Sequence, residues 1–166
     1  MNPLNTQGSR VRIADRELKV IHKLKEIVRR HVILKNEEDT RRLGYEIADA
    51  LEPGDIVALT GDLGVGKTAL TRYIAEALGI KEKIVSPTFT LVKLYDSGRV
   101  PLAHFDVYRL SDSDELWNVG AEDIIGGRYA SVIEWADIVA DVLPADALLV
   151  SLSYGGDEGE RVAEIL

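Results

Sequence analysis

Residues 61–68 read Gly-Asp-Leu-Gly-Val-Gly-Lys-Thr, and this stretch decides the fold. It matches the pattern G-x-x-x-x-G-K-[ST], in which glycines let the backbone curl so that successive N–H groups point at a phosphate. The apolar run 56–60 precedes the loop, and the amphipathic stretch 68–78 follows it. Strand, loop and helix in this order are the context that the motif requires, so the sequence predicts a P-loop NTPase domain of the α/β class.

The loop carries the expected contacts to a nucleotide. Lys67 is expected to bridge the β- and γ-phosphates, and the hydroxyl of Thr68 to hold Mg²⁺. The predicted cofactor-binding residues of the loop are Gly61, Asp62, Leu63, Gly64, Val65, Gly66, Lys67 and Thr68. No N-K-x-D segment, by which many GTPases select guanine, occurs in the chain, so ATP is the expected nucleotide.

A P-loop also needs an acidic group at the end of a neighbouring strand to hold Mg²⁺ directly or through water. Glu134 ends the apolar run 130–133, and Asp106 lies in the segment His-Phe-Asp-Val-Tyr-Arg at 104–109. Taken alone, either residue is also explained as an ordinary acidic side chain at the end of a strand. With a P-loop in the same chain, Glu134 becomes the favoured metal ligand.

Three other features near the predicted site each have two interpretations. The segment 86–90, Ser-Pro-Thr-Phe-Thr, can bring hydroxyls such as that of Thr88 to the γ-phosphate, or form a plain Ser-Pro turn. Trp135 is expected either to pack against neighbouring side chains or to anchor a partner protein near the nucleotide. His104 is predicted to be a strand side chain rather than a metal ligand, because no second His or Cys stands at ligand spacing.

The composition limits the class of protein. A chain of 166 residues with 46% hydrophobic and 29% charged residues fits one folded domain. It has no cysteine, which excludes disulfides, thiolate metal sites and cysteine nucleophiles. No signal-peptide core occurs in the first twenty residues, and no eighteen apolar residues run together. We therefore expect a cytoplasmic protein with no membrane partner.

Charge is distributed unevenly along the chain. Residues 1–35 hold nine Lys/Arg and three Asp/Glu, a net charge of +6, whereas the remainder holds eleven and twenty-five, a net charge of −14. An acidic body is poorly suited to neutralising phosphates over a broad surface, so any RNA is expected to be held by a partner. Residues 16–31 predict a basic amphipathic helix, with apolar positions Leu18, Ile21, Leu24 and Val28. This helix is expected either to pack on the body or on a second copy of the chain, or to bind an anionic partner.

The remaining pattern predicts a three-layer domain with a mixed parallel and antiparallel sheet over 31–166, preceded by an N-terminal helical extension over 1–30. The predicted strands are 31–35, 56–60 and 129–134, together with a hairpin at 90–96 and 100–108 and another at 147–154 and 161–166. Helices are predicted at 37–52, 68–78 and 111–119. Asn36 is expected to cap the first helix, and Gly79 and Gly120 to end the other two.

Four motifs in order carry a family resemblance: GDLGVGKT at 61–68, SPTFTL at 86–91, HFDVYR at 104–109 and IEW at 133–135. Together they resemble the TsaE (YjeE) family, the bacterial ATPase required for threonylcarbamoyladenosine in tRNA. The resemblance implies weak ATPase activity alone and work within a complex with TsaB and TsaD, the latter transferring the threonylcarbamoyl group. It also implies that tRNA is met indirectly, through the complex.

Carried over by motif, the resemblance assigns roles to single residues. Thr68 and Glu134 become Mg²⁺ ligands, Lys67 the phosphate lysine, Asp106 a residue needed for hydrolysis and Trp135 a functional neighbour of the nucleotide. The segment 86–91 becomes a nucleotide-responsive loop. The predicted function is an ATP-hydrolysing accessory subunit in which hydrolysis resets the complex. Two alternatives remain: a nucleotide-gated assembly module without required turnover, and a small-molecule P-loop kinase, which the lack of a dense arginine cluster disfavours.

Overall fold

The computed structural model describes residues 30–166. The predicted extension over 1–30 and its helix therefore lie outside the described residues, apart from their last positions. Arg30, which that helix was predicted to include, belongs instead to the first strand, and His31, where the helix and strand predictions met, lies in that strand as the interpretation of 31–35 expected. They pair there with the last strand of the chain, and this ladder of backbone hydrogen bonds fixes them in extended conformation.

Seven strands of the described residues form one mixed sheet in the order β1-β7-β6-β2-β5-β4-β3. Strand β2 pairs in parallel with β5 and β6, and β4 in parallel with β5, whereas β1/β7, β6/β7 and β3/β4 are antiparallel. This confirms the predicted mixed sheet and both hairpins. The strands are β1 (Arg30–Leu34), β2 (Ile56–Thr60), β3 (Val92–Tyr95), β4 (Leu102–Asp106), β5 (Ala130–Glu134), β6 (Leu148–Tyr154) and β7 (Arg161–Ile165).

The helices are α1 (Glu37–Ala50), α2 (Lys67–Ala77) and α3 (Asp114–Trp117), with 3₁₀ helices at Ala121–Asp123 and Ala136–Val142. The carboxamide of Asn36 accepts the Asp39 N–H at 3.0 Å, which confirms the predicted cap of α1. Gly79, with φ 79°, follows the end of α2 as predicted. Helix α3 is much shorter than the predicted 111–119. It begins later than predicted, because the Asp112 carboxylate accepts the N–H groups of Asp114 and Glu115 at its start.

The sheet separates two hydrophobic layers, which confirms the three-layer architecture. Alternation along β2 turns Val57 and Leu59 toward α1 and α2, and Ile56 and Ala58 toward α3 and the 3₁₀ helices. Four of the five β2 residues are buried, as expected for a central strand covered on both faces. Within residues 30–166, no helix is both long and apolar enough to cross a membrane.

The parallel strands decide where a site can form. Strands β2, β5 and β4 are neighbours and run in the same direction, so their carboxyl ends meet at one edge of the sheet. Ligands of open α/β sheets bind outside this edge. The loop 61–66 leaves β2 there, Glu134 ends β5 there, and Asp106 ends β4 there.

Candidate nucleotide-binding site

The loop between β2 and α2 depends on glycine conformations. Gly61, Gly64 and Gly66 have φ angles of 132°, 74° and 116°, which L side chains rarely adopt. At Gly61 a Cβ atom would also lie 2.2 Å from the carbonyl oxygen of Leu152 on the neighbouring strand. The loop can therefore curl tightly against β6, and it delivers the chain directly into the N-terminus of α2, where unpaired N–H groups favour an anion.

Lys67 folds back over its own loop. Its Nζ donates to the carbonyl oxygens of Gly61 at 2.5 Å and Asp62 at 2.8 Å, and lies 3.8 Å from the centroid of the Trp135 ring. Burial lowers the pKa of Lys67, while the nearby carboxylates of Glu134 and Asp106 act in the opposite direction. The ammonium group is thus partly desolvated at the cleft wall, a setting in which it attracts phosphate strongly.

Thr68 and Glu134 meet across the cleft floor. Thr68 Oγ1 donates to Glu134 Oε2 at 2.9 Å, and Glu134 is only 2% exposed. Within the described residues no group of three or more His, Cys, Asp or Glu side chains could hold a metal ion. One carboxylate beside one hydroxyl, both oxygen donors, nevertheless fits Mg²⁺, which takes one or two protein ligands and completes its shell with phosphates and water.

Asp106 makes a different set of contacts. Its Oδ2 accepts from Ser86 Oγ at 2.5 Å and from Thr88 Oγ1 at 3.3 Å, while its Oδ1 accepts the Tyr108 N–H at 3.1 Å. Asp106 therefore ties the segment 86–90 to the end of β4. On that segment the Phe89 ring is 85% exposed, so the part of the loop beyond the tether reaches into solvent.

Trp135 has both a backbone and a side-chain role in the geometry. It stands in the left-handed region, with φ 61°, immediately after β5 ends at Glu134. Its ring lies beneath the Lys67 ammonium and packs at 4.8 Å between centroids against Tyr108. Trp135 therefore both packs against its neighbours and lines the cleft. Its strained backbone turns the chain directly after the Glu134 carboxylate.

A cleft of about 400 Å³ gathers most of the predicted site residues. It is lined by Leu63, Gly64, Gly66, Lys67, Thr68, Thr88, Asp106, Glu134 and Trp135, among others. Three predicted loop residues are not part of this lining. Gly61 and Asp62 contribute carbonyl oxygens to Lys67, and the Val65 side chain is 1% exposed and packs in the core below α1 and α2.

Sequence reasoning gave no site role to three residues that the fold brings here. His104 contacts Glu134 at 2.6 Å, Thr71 lies 3.3 Å from the same carboxylate, and Tyr108 lines the cleft beside Trp135. Two of them carried a usable signal. His104 stands two residues before Asp106 and so shares its face of β4, and Thr71 stands one helical turn after Lys67.

The protein-family model described as "Threonylcarbamoyl adenosine biosynthesis protein TsaE" matches residues 34–163. The chain belongs to the TsaE family. Relatives named tRNA threonylcarbamoyladenosine biosynthesis protein TsaE include that of Bacillus subtilis, 38% identical over 127 residues, 76% of this chain and 79% of that protein. The TsaE of Nostoc is 42% identical over 140 residues, 81% of this chain and 83% of the relative.

A solved TsaE-like structure supports the fold. The crystal structure of Bacillus subtilis YdiB has a TM-score of 0.71 and 33% sequence identity, covering 82% of this chain and 84% of that one. The TsaE fold is that of a P-loop NTPase, in which the glycine-rich loop binds nucleotide together with a metal ion. The family resemblance predicted from four motifs is thereby confirmed.

Proposed function

We propose that this TsaE family member is an ATP-hydrolysing accessory subunit of the cytoplasmic bacterial complex that installs threonylcarbamoyladenosine in tRNA. Two things support the proposal: the function named for its relatives and the chemistry of the cleft. The single observation that carries the hydrolytic part is the contact of Thr68 with Glu134 on the cleft floor, beside the P-loop. It sets a hydroxyl and a carboxylate beside the lysine that faces the phosphates.

The residues of the loop divide the work of binding a triphosphate. Backbone N–H groups of 61–66 and the N-terminus of α2 hold the β-phosphate. Lys67 exchanges the carbonyl oxygens of Gly61 and Asp62 for β- and γ-phosphate oxygens. Thr68 and Glu134 would hold Mg²⁺, which would supply charge neutralisation at the terminal phosphoryl group.

The tether on Asp106 supports a role for the segment 86–90 in sensing the γ-phosphate. Ser86 and Thr88 line the same cleft as Lys67, with their hydroxyls directed to Asp106. A terminal phosphate offers new acceptors for those hydroxyls, so its arrival and loss change the partners of this loop. Asp106 would thereby link hydrolysis to the exposed part of the segment, and Trp135 would close the cleft wall beside the nucleotide.

A second hollow of about 190 Å³ also borders the loop, and in this proposal the nucleoside part of ATP extends into it. It shares Gly64, Gly66 and Ala69 with the main cleft, so a molecule bound at the loop can extend into both. Its rim carries Thr40 and Arg161, and the Arg161 guanidinium is held by the Val65 carbonyl at 3.2 Å.

The proposed partners are the TsaD and TsaB proteins, with tRNA met indirectly through their complex. The net charge of −14 beyond residue 35 supports this arrangement, because such a surface repels a polyanion. In this scheme binding of ATP favours one state of the complex and hydrolysis returns it to the other. The chain thus controls when the complex changes state and does not itself transfer the threonylcarbamoyl group.

Reconstitution tests the proposal. The purified chain is mixed with TsaD, TsaB, tRNA and a supply of the threonylcarbamoyl donor, and modified tRNA is counted per complex with ATP, without nucleotide, and with a non-hydrolysable ATP analogue. We expect many turnovers with ATP and at most one with the analogue. Sustained turnover with the analogue would instead establish a nucleotide-gated assembly module. A phosphorylated metabolite that accumulates as ATP is consumed would establish a kinase.

A further inference from the structure

His104 and Glu134 form a buried contact that the proposed mechanism does not use. His104 Nε2 lies 2.6 Å from Glu134 Oε1, and the two side chains are 0% and 3% exposed. In the sheet register His104 lies opposite Val132, two residues before Glu134, so the pair are diagonal neighbours on one face of β4 and β5. Helix α2 covers this face and brings Thr68 and Thr71 onto the same carboxylate.

The two oxygens of Glu134 have separate surroundings. Oε2 accepts from Thr68 Oγ1 and is the oxygen on the side of the P-loop threonine. Oε1 is contacted by His104 and Thr71, both of which are wholly buried. A carboxylate anchored through one oxygen keeps a fixed direction for the other, which is the general way in which metal-binding carboxylates are oriented.

Distances decide which residue anchors Oε1. Thr71 Oγ1 has a single hydrogen and lies 3.0 Å from the Lys67 carbonyl oxygen but 3.3 Å from Glu134 Oε1. Its hydrogen bond within α2 is therefore the closer one. His104, at 2.6 Å, is the closer donor to Oε1 by 0.7 Å. The anchor of the carboxylate is the imidazole.

The chemistry of the ring also fixes where its hydrogen lies. A carboxylate only accepts hydrogen bonds, so a contact of this length places a hydrogen on Nε2. Nδ1 is buried and has no hydrogen-bond partner among residues 30–166. A hydrogen on Nε2 leaves Nδ1 as an acceptor in the neutral ring and so avoids an unsatisfied buried N–H at that position.

We propose that His104 is a positioning residue, whose Nε2–H holds Glu134 Oε1 so that Oε2 and Thr68 Oγ1 stay aligned to receive Mg²⁺ with a nucleotide. This inference rests on the proposed nucleotide site and adds a residue to it. His104 is not among the residues that line the cleft. Its effect on the site passes through the direction of one carboxylate.

Two variants separate this role from simple packing. His104→Leu fills the buried space with an apolar side chain and removes the hydrogen-bond donor. His104→Gln instead places an amide N–H within similar reach of Glu134 Oε1. Mg²⁺ is titrated calorimetrically into each protein saturated with ADP, and ADP binding is measured separately in EDTA. We expect His104→Leu to weaken Mg²⁺ binding about 10- to 100-fold. ADP binding in EDTA should stay within about twofold, and His104→Gln should recover most of the loss.

The hydrogen on the ring is observed directly by nitrogen-15 NMR of labelled histidine. The chain has three histidines, so spectra of His22→Gln and His31→Gln assign the remaining ring as His104. We expect a protonated Nε2 with slow exchange of its hydrogen. An unprotonated Nε2 overturns the proposal, and so does unchanged Mg²⁺ binding in a folded His104→Leu protein.

The same design tells apart the possible failures. Thermal unfolding shows whether His104→Leu folds, and if it does not, the His104→Gln titration and the wild-type ring spectrum decide the matter. Wild-type protein that never hydrolyses ATP in the reconstituted complex would remove the proposed function. The Mg²⁺ titration with ADP and the ring spectrum do not depend on hydrolysis, so the positioning role is tested in either case.

Discussion

Asp106 and Glu134 lie opposite each other in register at the ends of the parallel strands β4 and β5, yet they hold different partners. Glu134 accepts from the P-loop threonine, Thr68, whereas Asp106 accepts from Ser86 and Thr88. Two carboxylates in equivalent backbone positions therefore contact two different parts of the chain. Substitutions of the two acids are for this reason expected to have different effects.

Lys67→Ala is expected to reduce ATP hydrolysis by at least about 100-fold and to stop tRNA modification, because it removes a cation that stabilises charge developing on the phosphates. Hydrolysis and modification are measured in the complex with TsaD and TsaB. Lys83→Ala, at an exposed position that does not line the cleft, is the matched control and should behave as wild type. Wild-type hydrolysis by Lys67→Ala would take the P-loop out of the mechanism.

Glu134→Gln should lower Mg²⁺-dependent turnover by about 100-fold while nucleotide affinity in EDTA changes by less than about threefold. The amide keeps the size of the side chain and one acceptor oxygen but loses the negative charge that attracts a divalent cation. Turnover is followed against Mg²⁺ concentration, with exposed Glu122→Gln as control. If turnover is unchanged, the metal role passes to Asp106.

Asp106→Asn should loosen the segment 86–90, because an amide is a weaker acceptor than a carboxylate for the hydroxyls of Ser86 and Thr88. A loss of about 1–2 kcal/mol in these contacts corresponds to roughly 5- to 30-fold more frequent opening of the loop. The rate of limited chymotrypsin cleavage at the exposed Phe89 measures how often the loop opens. Asp157→Asn, an exposed residue between β6 and β7, serves as control, and equal cleavage of both variants would argue against the tether.

Gly44→Ala should destabilise the domain. A Cβ atom at this position of α1 would lie 2.7 Å from Tyr73 Cβ on α2, so the two helices must separate. Overpacking costs about 1–3 kcal/mol and outweighs the helix propensity of about 1 kcal/mol that alanine gains over glycine. Thermal unfolding should show Tm lower by a few degrees. Gly156→Ala, where nothing lies within 4 Å of the added Cβ, should leave Tm unchanged.

Much of the fold could be predicted because its signals are local. The apolar run of β2, the glycines of the loop and the cap at Asn36 each act within a few residues of their own position, and each was found where expected. The start of α3 is also set locally, because the Asp112 side chain accepts the first N–H groups of the helix and so places its start later than the pattern over 111–119 predicts. Side-chain competition of this kind decides boundaries rather than the existence of elements.

The candidate site was predictable as a set of residues but not as a set of contacts. The spacing of the motif named Lys67 and Thr68, strand ends named Asp106 and Glu134, and Glu134 was favoured as the metal ligand beside Thr68, but no local pattern showed the direct contact between the two side chains. That contact joins residues 66 positions apart. It depends on β5, rather than β4, being the strand next to β2. His104 remained without a role because its partner stands on a neighbouring strand.

By itself the sequence determined the anion-binding loop, the alternation of strands and helices and the family, since glycine conformations and apolar periodicity act over short stretches of chain. Only the tertiary structure decided that Glu134 faces Thr68, that Asp106 holds the segment 86–90, and that a buried imidazole lies behind the carboxylate. Strand order and register set those contacts. Both arise from packing the whole sheet between its two hydrophobic layers, and no short stretch of residues contains that information.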